Sequence, residues 1–275
     1  MGNIDHAVVK DFGHEWGEYS QDGLSDAELE RSFNQYFHIF PFDKLDQNAQ
    51  GFDMGCGSGR WAKLVAPRVG TLNCIDPSDQ ALNVAKDNLT GQNNVNFFVA
   101  SVDEDILEEK SQDFGYCLGV LHHIPDTLAG LHKCSALLKS GAPFLVYLYY
   151  RFDHKPWWFK MIWRASDIIR RFTCKLPFPL KKFVALLIAI FVYMPLARFA
   201  LLMEKIGRDV ENIPLTDYRN KSFYFIRTDA LDRFGTRLEH RYTRDEIVQM
   251  LESSGFENIT FSDQMPYWTA LAWKK

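Results

Sequence analysis

The stretch FDMGCGSG, residues 52–59, decides how this chain folds. Its first residues complete a short apolar strand, GFDM at 51–54, and the three glycines that follow predict a tight turn. Glycine lets the backbone approach a ligand closely, and the helix predicted at 60–66 offers unpaired N–H groups to a polar ligand. The stretch therefore predicts a strand–turn–helix unit that binds a ligand at the turn.

Strands and helices alternate along the chain beyond this turn. The predicted strands lie at 51–54, 71–75, 95–100, 113–120 and 142–150, and the predicted helices between them lie at 60–66, 78–89 and about 127–138. Such alternation implies crossover connections and a parallel sheet. A capping box, Thr243 to Glu246, starts a further helix, and 256–261 with 267–273 should close the sheet as an antiparallel hairpin. We predict a doubly wound, mostly parallel seven-stranded α/β sheet.

The residues around the turn define the chemistry of its ligand. The glycine spacing is GxGxG and not GxGxxG, so the pyrophosphate fingerprint of a dinucleotide site is missing. Asp53 directly precedes the glycines, where it can receive a cationic group. Asp76 ends the second strand, where an acid can bind both hydroxyls of a ribose. A ligand with an amino-acid cation and a ribose but no pyrophosphate matches S-adenosylmethionine.

Four segments of the sequence are similar to the motifs of one large family. They are FDMGCGSGRW, CIDPS, VASVDED and DFGYCLGVLHHIPDT. They resemble the class I S-adenosylmethionine-dependent methyltransferases, in particular the ubiquinone-methyltransferase-like group, methyltransferase type 11. This resemblance implies a Rossmann-like methyltransferase fold, methyl transfer as the activity and S-adenosylmethionine as the cofactor.

The resemblance also implies which residues bind that cofactor. Asp53 and the glycines would line its methionine end, and Asp76 would bind its ribose. Ser101 stands where many relatives have aspartate, so Asp103 is the alternative partner for the adenine amino group. The predicted cofactor-binding set is Asp53, Gly55, Cys56, Gly57, Gly59, Asp76, Pro77, Ser101, Val102, Asp103, Leu118 and Gly119.

Two histidines, His122 and His123, are the candidate catalytic residues. They follow the fourth strand at its carboxyl end, where open α/β sheets bind ligands, and a general base is useful when the methyl acceptor is a hydroxyl. The alternative is that they are structural turn residues. Val120 and Leu121 stand where metal-assisted members of the group have acidic residues, so we expect no metal site.

The alternation stops at residue 151. Residues 151–210 hold 12 Lys and Arg against 4 Asp and Glu. Residues 157–172 predict a basic amphipathic helix with tryptophan at one end, and 183–203 is an apolar run interrupted by Pro195 and Arg198. Three interpretations stay open for this insertion: a transmembrane span, an interfacial or lipid-binding surface, and a buried lid or dimer helix.

The chain therefore divides into four predicted parts. Residues 1–48 form an N-terminal helical cap, 49–150 the S-adenosylmethionine-binding α/β core, 151–235 a helical lid and 236–275 the closing helix and hairpin. Within the first part, the aromatic segment 11–16 is either a cover over the cofactor or a helix packed on the core.

Composition limits the function and the compartment. The net charge is −4 and the basic block is interleaved with apolar runs, which argues against a nucleic-acid substrate. Five cysteines without CxxC spacing and an N-terminus without a secretory pattern indicate the cytoplasm, with membrane association through 157–203 left open.

The predicted function is methyl transfer from S-adenosylmethionine to a small-molecule acceptor. A peripheral membrane enzyme with a quinone-like or lipid-linked acceptor is the first alternative. The second, from another class, is a non-catalytic regulator that binds S-adenosylmethionine. The sequence leaves a homodimer open.

Overall fold

A computed structural model describes residues 2–18, 25–153 and 155–275. The described residues form two compact units. The sheet unit contains residues 2–18, 29–151 and 238–275, and the helical unit contains residues 25–28, 152–153 and 155–237.

The sheet unit is built on one seven-stranded sheet. Its strands are β1 Gln50–Met54, β2 Thr71–Asp76, β3 Val95–Val99, β4 Phe114–Leu118, β5 Pro143–Tyr147, β6 Phe256–Phe261 and β7 Thr269–Lys274. Their order is β3-β2-β1-β4-β5-β7-β6, and only β7 runs antiparallel to its neighbours. The predicted doubly wound, mostly parallel sheet with a closing hairpin is confirmed. The strand order changes direction between β1 and β4, which run parallel to each other. The ligand-binding crevice of open α/β sheets lies at the carboxyl ends of the strands at such a point.

Several of the helices begin where the sequence supplies a capping side chain. They are α1 His6–Glu18, α2 Asp26–Phe37, α3 Ala62–Val65, α4 Asp79–Asn88, α5 Thr127–Leu137, α6 Trp157–Thr173, α7 Phe178–Ile188, α8 Met194–Lys205, α9 Phe223–Gly235 and α10 Arg244–Ser253. Ser78 caps α4, Asp126 caps α5, and Thr243 with Glu246 forms the predicted capping box of α10. Each cap satisfies an N–H that the first helical turn leaves unpaired.

Strand β5 ends three residues earlier than the sequence predicts. Tyr149 and Tyr150 continue the apolar pattern, but the carbonyl of Tyr149 accepts from the N–H of Tyr242 at 2.9 Å. The N–H of Arg151 then donates to the carbonyl of Tyr242 at 2.9 Å. Pairing with a distant segment therefore draws the chain out of the sheet.

The helical unit is organised around α9. Ile226, Ala230 and Phe234 of α9 pack with Ala189 and Tyr193 in a separate apolar cluster. Helices α7 and α8 are joined through a π-turn, Ala189–Tyr193. Pro195 cannot accept the ordinary α-helical geometry of the preceding turn, and the wider turn relieves its clash.

The joined helix Phe178–Lys205 is long and apolar enough to cross a membrane. It has 28 residues, and its most apolar stretch of 18 residues has a mean hydropathy of 2.2 and is 28% buried. Within the residues that the structure describes, it alone meets these criteria of length and composition. Buried helices of soluble proteins meet them too, so they do not decide between a span and a surface.

Strands β1 and β4 pack closely because a glycine of each strand lies opposite a phenylalanine of the other. Gly51 pairs with Phe114 and Phe52 pairs with Gly115. Both rings are fully buried, and a Cβ at either glycine would overlap the opposite ring. The two rings belong to different apolar clusters, so each face of the sheet depends on one of these pairs.

We predict that Gly115→Ala lowers the free energy of unfolding by about 1–3 kcal/mol, because the added methyl group overpacks the Phe52 ring. Urea unfolding measures the change. The matched control is Gly17→Ala in α1, where the new Cβ would meet only the end of the Gln80 side chain. That variant should be as stable as the unchanged chain or more stable by up to about 1 kcal/mol. Equal stability of the two variants would contradict the packing argument.

Candidate active site at the glycine-rich turn

The glycine-rich turn has a backbone that other residues adopt only under strain. Gly55, Gly57 and Gly59 have φ angles of +79°, +54° and +73°. A Cβ at Gly55 would overlap Val120, and a Cβ at Gly59 would lie 3.1 Å from the Cβ of Ala85 in α4. The three glycines thus give the turn its shape and let α4 pack against it.

Asp76 fastens the turn to the start of α4. Its Oδ2 accepts from the N–H of Gly57 and its Oδ1 from the N–H of Ser78, both at 2.9 Å. Burial raises the pKa of Asp76 to about 6, although the bonds from Ser78 and Gly57 oppose the rise. Each carboxylate oxygen has a second lone pair, so Asp76 can still accept from a ribose hydroxyl.

Asp53 lies beneath the turn and is 1% exposed. Its Oδ2 has no hydrogen-bond partner among the residues that the structure describes. Burial raises the pKa of Asp53 to about 8, the Tyr116 hydroxyl lowers it in part, and the Asp76 carboxyl raises it further. A buried carboxylate without a partner is costly, and a cationic ligand group would supply the missing charge.

The predicted adenine-binding turn is held together by its own side chains. The Ser101 hydroxyl donates to Asp103 at 2.6 Å and to Glu104 at 3.0 Å. Asp103 also accepts from the N–H of Asn3 at 2.8 Å, and these bonds, Ser101 first, lower the pKa of Asp103. The sequence did not indicate the roles of Asn3, which lies outside the quoted motifs, and of Glu104, which lies within VASVDED but is not a residue that the resemblance assigns to the cofactor. The N–H of Ala100 donates to the backbone carbonyl of Asp76 at 3.1 Å, which places this turn beside the end of β2.

Four other residues of the predicted cofactor set lie around this crevice. Pro77 is half-buried between Asp76 and Ser78, and Val102 and Leu118 are buried. Gly119 has a φ of +81°, and apart from its own atoms and its two chain neighbours no described residue lies within 4 Å of its ideal Cβ, so there is room above it.

Cys56 is a buried member of the turn. Its hydrogen bond with Cys74 and its burial raise the pKa of the thiol well above the usual range. The thiol therefore stays protonated and unreactive.

The aromatic segment 11–16 lies on α1 beside the turn. A Cβ at Gly57 would lie 3.1 Å from the indole nitrogen of Trp16. A Cβ at Gly13 would lie 2.6 Å from the Ser78 hydroxyl, so glycine allows α1 its close approach to α4. The Phe12 ring lies 5.2 Å from the His123 ring. The structure thus brings the segment to the site, and its role as a cover stays a prediction.

His122 and His123 lie at the carboxyl end of β4, as expected. His122 is fully buried, and neither ring nitrogen finds a partner in the described part of the chain. Burial lowers the pKa of His122 well below its usual value, and His123 and Arg241 lower it further. The Nδ1 atom of His123 lies 2.7 Å from the carbonyl of Leu238, so Nδ1 carries a proton.

Residues 238–242, which we call the return segment, line the same end of the sheet. The N–H of His240 donates to the carbonyl of His122 at 2.9 Å. The Arg241 guanidinium lies 5.0 Å from the Tyr149 ring, which stacks on His122 at 3.8 Å. Arg241 is also paired with buried Glu239 at 2.6 Å. A buried cation behind Tyr149 therefore helps to keep His122 neutral.

No motif in the sequence predicts the return segment. Glu239 and Arg241 lie two residues apart in a charged stretch of the kind that is usually solvated. Arg241 contacts the Tyr149 ring and donates to the carbonyl of Tyr150, and both tyrosines lie about ninety residues away in the sequence. No group of three or more His, Cys, Asp and Glu side chains in residues 2–18, 25–153 and 155–275 is placed to hold a metal ion.

Comparison with known proteins identifies the sheet unit. Residues 52–146 match the family model described as a methyltransferase domain. The sheet unit therefore contains a methyltransferase domain over residues 52–146. The ubiquinone biosynthesis O-methyltransferase of Nitrosomonas europaea is 34% identical over 91 residues, which are 32% of this chain and 39% of that protein. The Vibrio vulnificus enzyme of the same name is 29% identical over 124 residues, 42% of this chain and 53% of that protein. The chain thus spans about half or less of the curated relatives that it matches.

Solved structures share the fold of the methyltransferase domain. A Haloferax volcanii methyltransferase, solved with the Trm112 activator, aligns over 94% of this chain and 97% of its own. Its TM-score is 0.55 at 12% identity. Phosphoethanolamine N-methyltransferase 2 of Haemonchus contortus aligns over 94% of this chain and 44% of its own, with a TM-score of 0.51 at 14% identity. At these identities the likeness concerns the fold alone.

We predict that Asp53→Asn stabilises the methyltransferase domain in alkali. Folding raises the pKa of Asp53 from 3.8 to about 8, so the ionised carboxyl disfavours the folded chain. This loss of stability grows as the pH rises between those values and is complete above about pH 8. The variant is neutral throughout, so its advantage in the free energy of unfolding should increase between about pH 5 and pH 8.5, to the order of several kcal/mol.

Denaturant unfolding at both pH values measures this difference. Asp87→Asn, at an exposed position of α4, is the matched control and should show no such dependence. A constant difference between Asp53→Asn and the unchanged chain at the two pH values would show that Asp53 is ionised in both.

Proposed function

We propose that this chain is a methyltransferase that moves a methyl group from S-adenosylmethionine to a small-molecule acceptor. The observation that carries the proposal is the unpaired, buried Oδ2 of Asp53 beneath a turn of three positive-φ glycines. The α-ammonium group of S-adenosylmethionine supplies the missing cation, and its ribose hydroxyls suit Asp76 at the end of β2. The complex of the Haemonchus enzyme with S-adenosylmethionine supports the same cofactor for this fold.

The remaining predicted contacts complete the cofactor site. Ser101, Val102 and Asp103 flank the adenine, with Asp103 as the acceptor for its amino group. Gly119 leaves open space that suits the reacting end of the cofactor. The cofactor supplies an activated methyl group on its sulfonium, so the residues of the chain need mainly to position the acceptor in line with it.

His122 is the general base of the proposal when the acceptor is a hydroxyl. Its depressed pKa keeps the imidazole neutral at physiological pH, so a ring nitrogen can take the acceptor's proton as the new bond forms. Tyr149 holds the ring plane by stacking, and the carbonyl of His122 is held by the return segment. His123 is bonded to Leu238 and acts as a positioning residue.

A quinone-like or lipid-linked phenol is the acceptor class that we consider next. The matched relatives are named ubiquinone biosynthesis O-methyltransferases, and this chain has an exposed apolar surface on its helical unit. We place the enzyme in the cytoplasm, where five free, buried cysteines are stable.

We predict that Asp76→Ala weakens binding of S-adenosylmethionine by about 1.5–3 kcal/mol, the range for a hydrogen bond to a charged group. Titration calorimetry measures the affinity, and Asp87→Asn should bind as the unchanged chain does. Circular dichroism verifies that α4 is retained, since Asp76 also bonds to Ser78. Unchanged affinity in a folded Asp76→Ala variant would remove Asp76 from the ribose site.

We predict that His122→Asn lowers kcat by about 10²–10⁴-fold and keeps the cofactor affinity. Transfer from methyl-labelled S-adenosylmethionine to phenols, catechols and polyprenyl phenols measures the rate. Because the pKa of His122 is depressed, kcat/KM of the unchanged enzyme should be level around neutral pH and fall only in acid. His132→Asn, on the exposed side of α5, is the control.

Two outcomes would contradict these assignments. Full turnover by His122→Asn would make the histidine structural. Tight cofactor binding without transfer to any acceptor of the panel would favour a non-catalytic regulator.

A further inference from the structure

The helical unit exposes an unusual amount of apolar surface. Nineteen large apolar side chains are exposed across residues 2–18, 25–153 and 155–275, and sixteen of them lie between Trp157 and Ile206. Trp157 is 73% exposed, Phe172 70% and Phe191 72%. Soluble proteins rarely expose large apolar surfaces to water, so the concentration of these side chains on three helices indicates a binding surface.

The exposed residues form stripes along the helices. On α6 they lie at 157–158, 161–162, 168–169 and 172, which are one or two helical turns apart. On α7 and α8 they lie at 180, 183, 187, 190–192, 199, 202 and 206. This is the helical period, so each stripe covers one face. The joined helix of α7 and α8 carries its stripe over about 40 Å, at 1.5 Å per residue.

The same helices turn charged residues inward. Arg170 of α6 is 8% exposed, pairs with Asp167 at 2.7 Å and donates to the carbonyl of Thr236 at 2.9 Å. Lys181 of α7 is 2% exposed, while its neighbours Leu180 and Phe183 are more than half exposed. An ordinary surface helix has the opposite arrangement. Rotating α6 to bury its apolar stripe would expose Arg170 and Asp167 to solvent and break the bond from Arg170 to Thr236. We therefore expect the stripe to stay exposed.

Positive charge surrounds this surface. Residues 157–208 hold ten Lys and Arg against two Asp and Glu. Four of the exposed cations are Arg164, Lys175, Lys205 and Arg208. A second copy of the chain would bring one such surface against another of the same sign, which is unfavourable. An anionic partner is complementary.

We propose that the stripes of α6, α7 and α8 rest in the interface of an anionic lipid bilayer. The apolar side chains enter the boundary between head groups and acyl chains, and the surrounding cations bind the lipid phosphates. The joined helix does not span the bilayer, because its other face, at Ala189, Tyr193 and Ala197, packs on α9. This inference is independent of the proposed methyl transfer.

Vesicle flotation of the full chain tests the proposal without cofactor or acceptor. The chain should float with phosphatidylglycerol vesicles at low salt, bind phosphatidylcholine vesicles at least about tenfold more weakly, and be released as salt screens the charges. The double variant Trp157→Glu with Phe191→Glu should bind phosphatidylglycerol at least tenfold more weakly, about 1.4 kcal/mol. The matched control Val99→Glu, on β3 of the sheet unit, should bind as the unchanged chain does.

Four outcomes would overturn the proposal. The first is failure to float with excess phosphatidylglycerol at low salt. The second is equal binding by the double variant, which thermal melting must show to be folded. The third is retention after alkaline carbonate extraction, which would indicate a span. The fourth is a dimer that the double variant abolishes in the absence of any lipid binding, which would make a second copy the partner.

Discussion

The Asp76 carboxylate is the interaction on which the candidate site depends. Its two oxygens hold the N–H of Gly57 and the N–H of Ser78, so one side chain fixes the glycine turn, the end of β2 and the start of α4. The turn can accept this restraint because Gly55, Gly57 and Gly59 tolerate positive φ. The Asp53 carboxyl is then enclosed below the turn, so it is either protonated or paired with a cationic group of a ligand.

Local signals made the fold and the shape of the glycine turn predictable. Glycines in the turn, and the caps Ser78 and Thr243, act within a few residues, and their structures follow from the sequence alone. The end of β5 was not predictable, because Tyr149 leaves the sheet only to pair with Tyr242. Partners so far apart in the chain leave no trace in the local pattern.

The amphipathic pattern of the helical insertion predicts a helix but not which of its faces is buried. The period of 157–172 predicted a helix correctly, and Trp157–Thr173 is that helix. The pattern could not tell which face is buried, because the pairing of Arg170 with Asp167 and Thr236 decides it. A buried ion pair with good hydrogen bonds can hold a polar face inward, and the apolar face then needs another environment.

Backbone hydrogen bonds within the sheet unit join the residues that flank the helical insertion. The first part of the sheet unit ends at Arg151 and its last part begins at Leu238, and Tyr149 and Arg151 pair with Tyr242. These hydrogen bonds close the insertion as the base of a hairpin is closed. The length and sequence of the inserted segment can therefore vary without disturbing the strands. Exchange of the whole helical module for another would therefore leave the seven-stranded sheet intact.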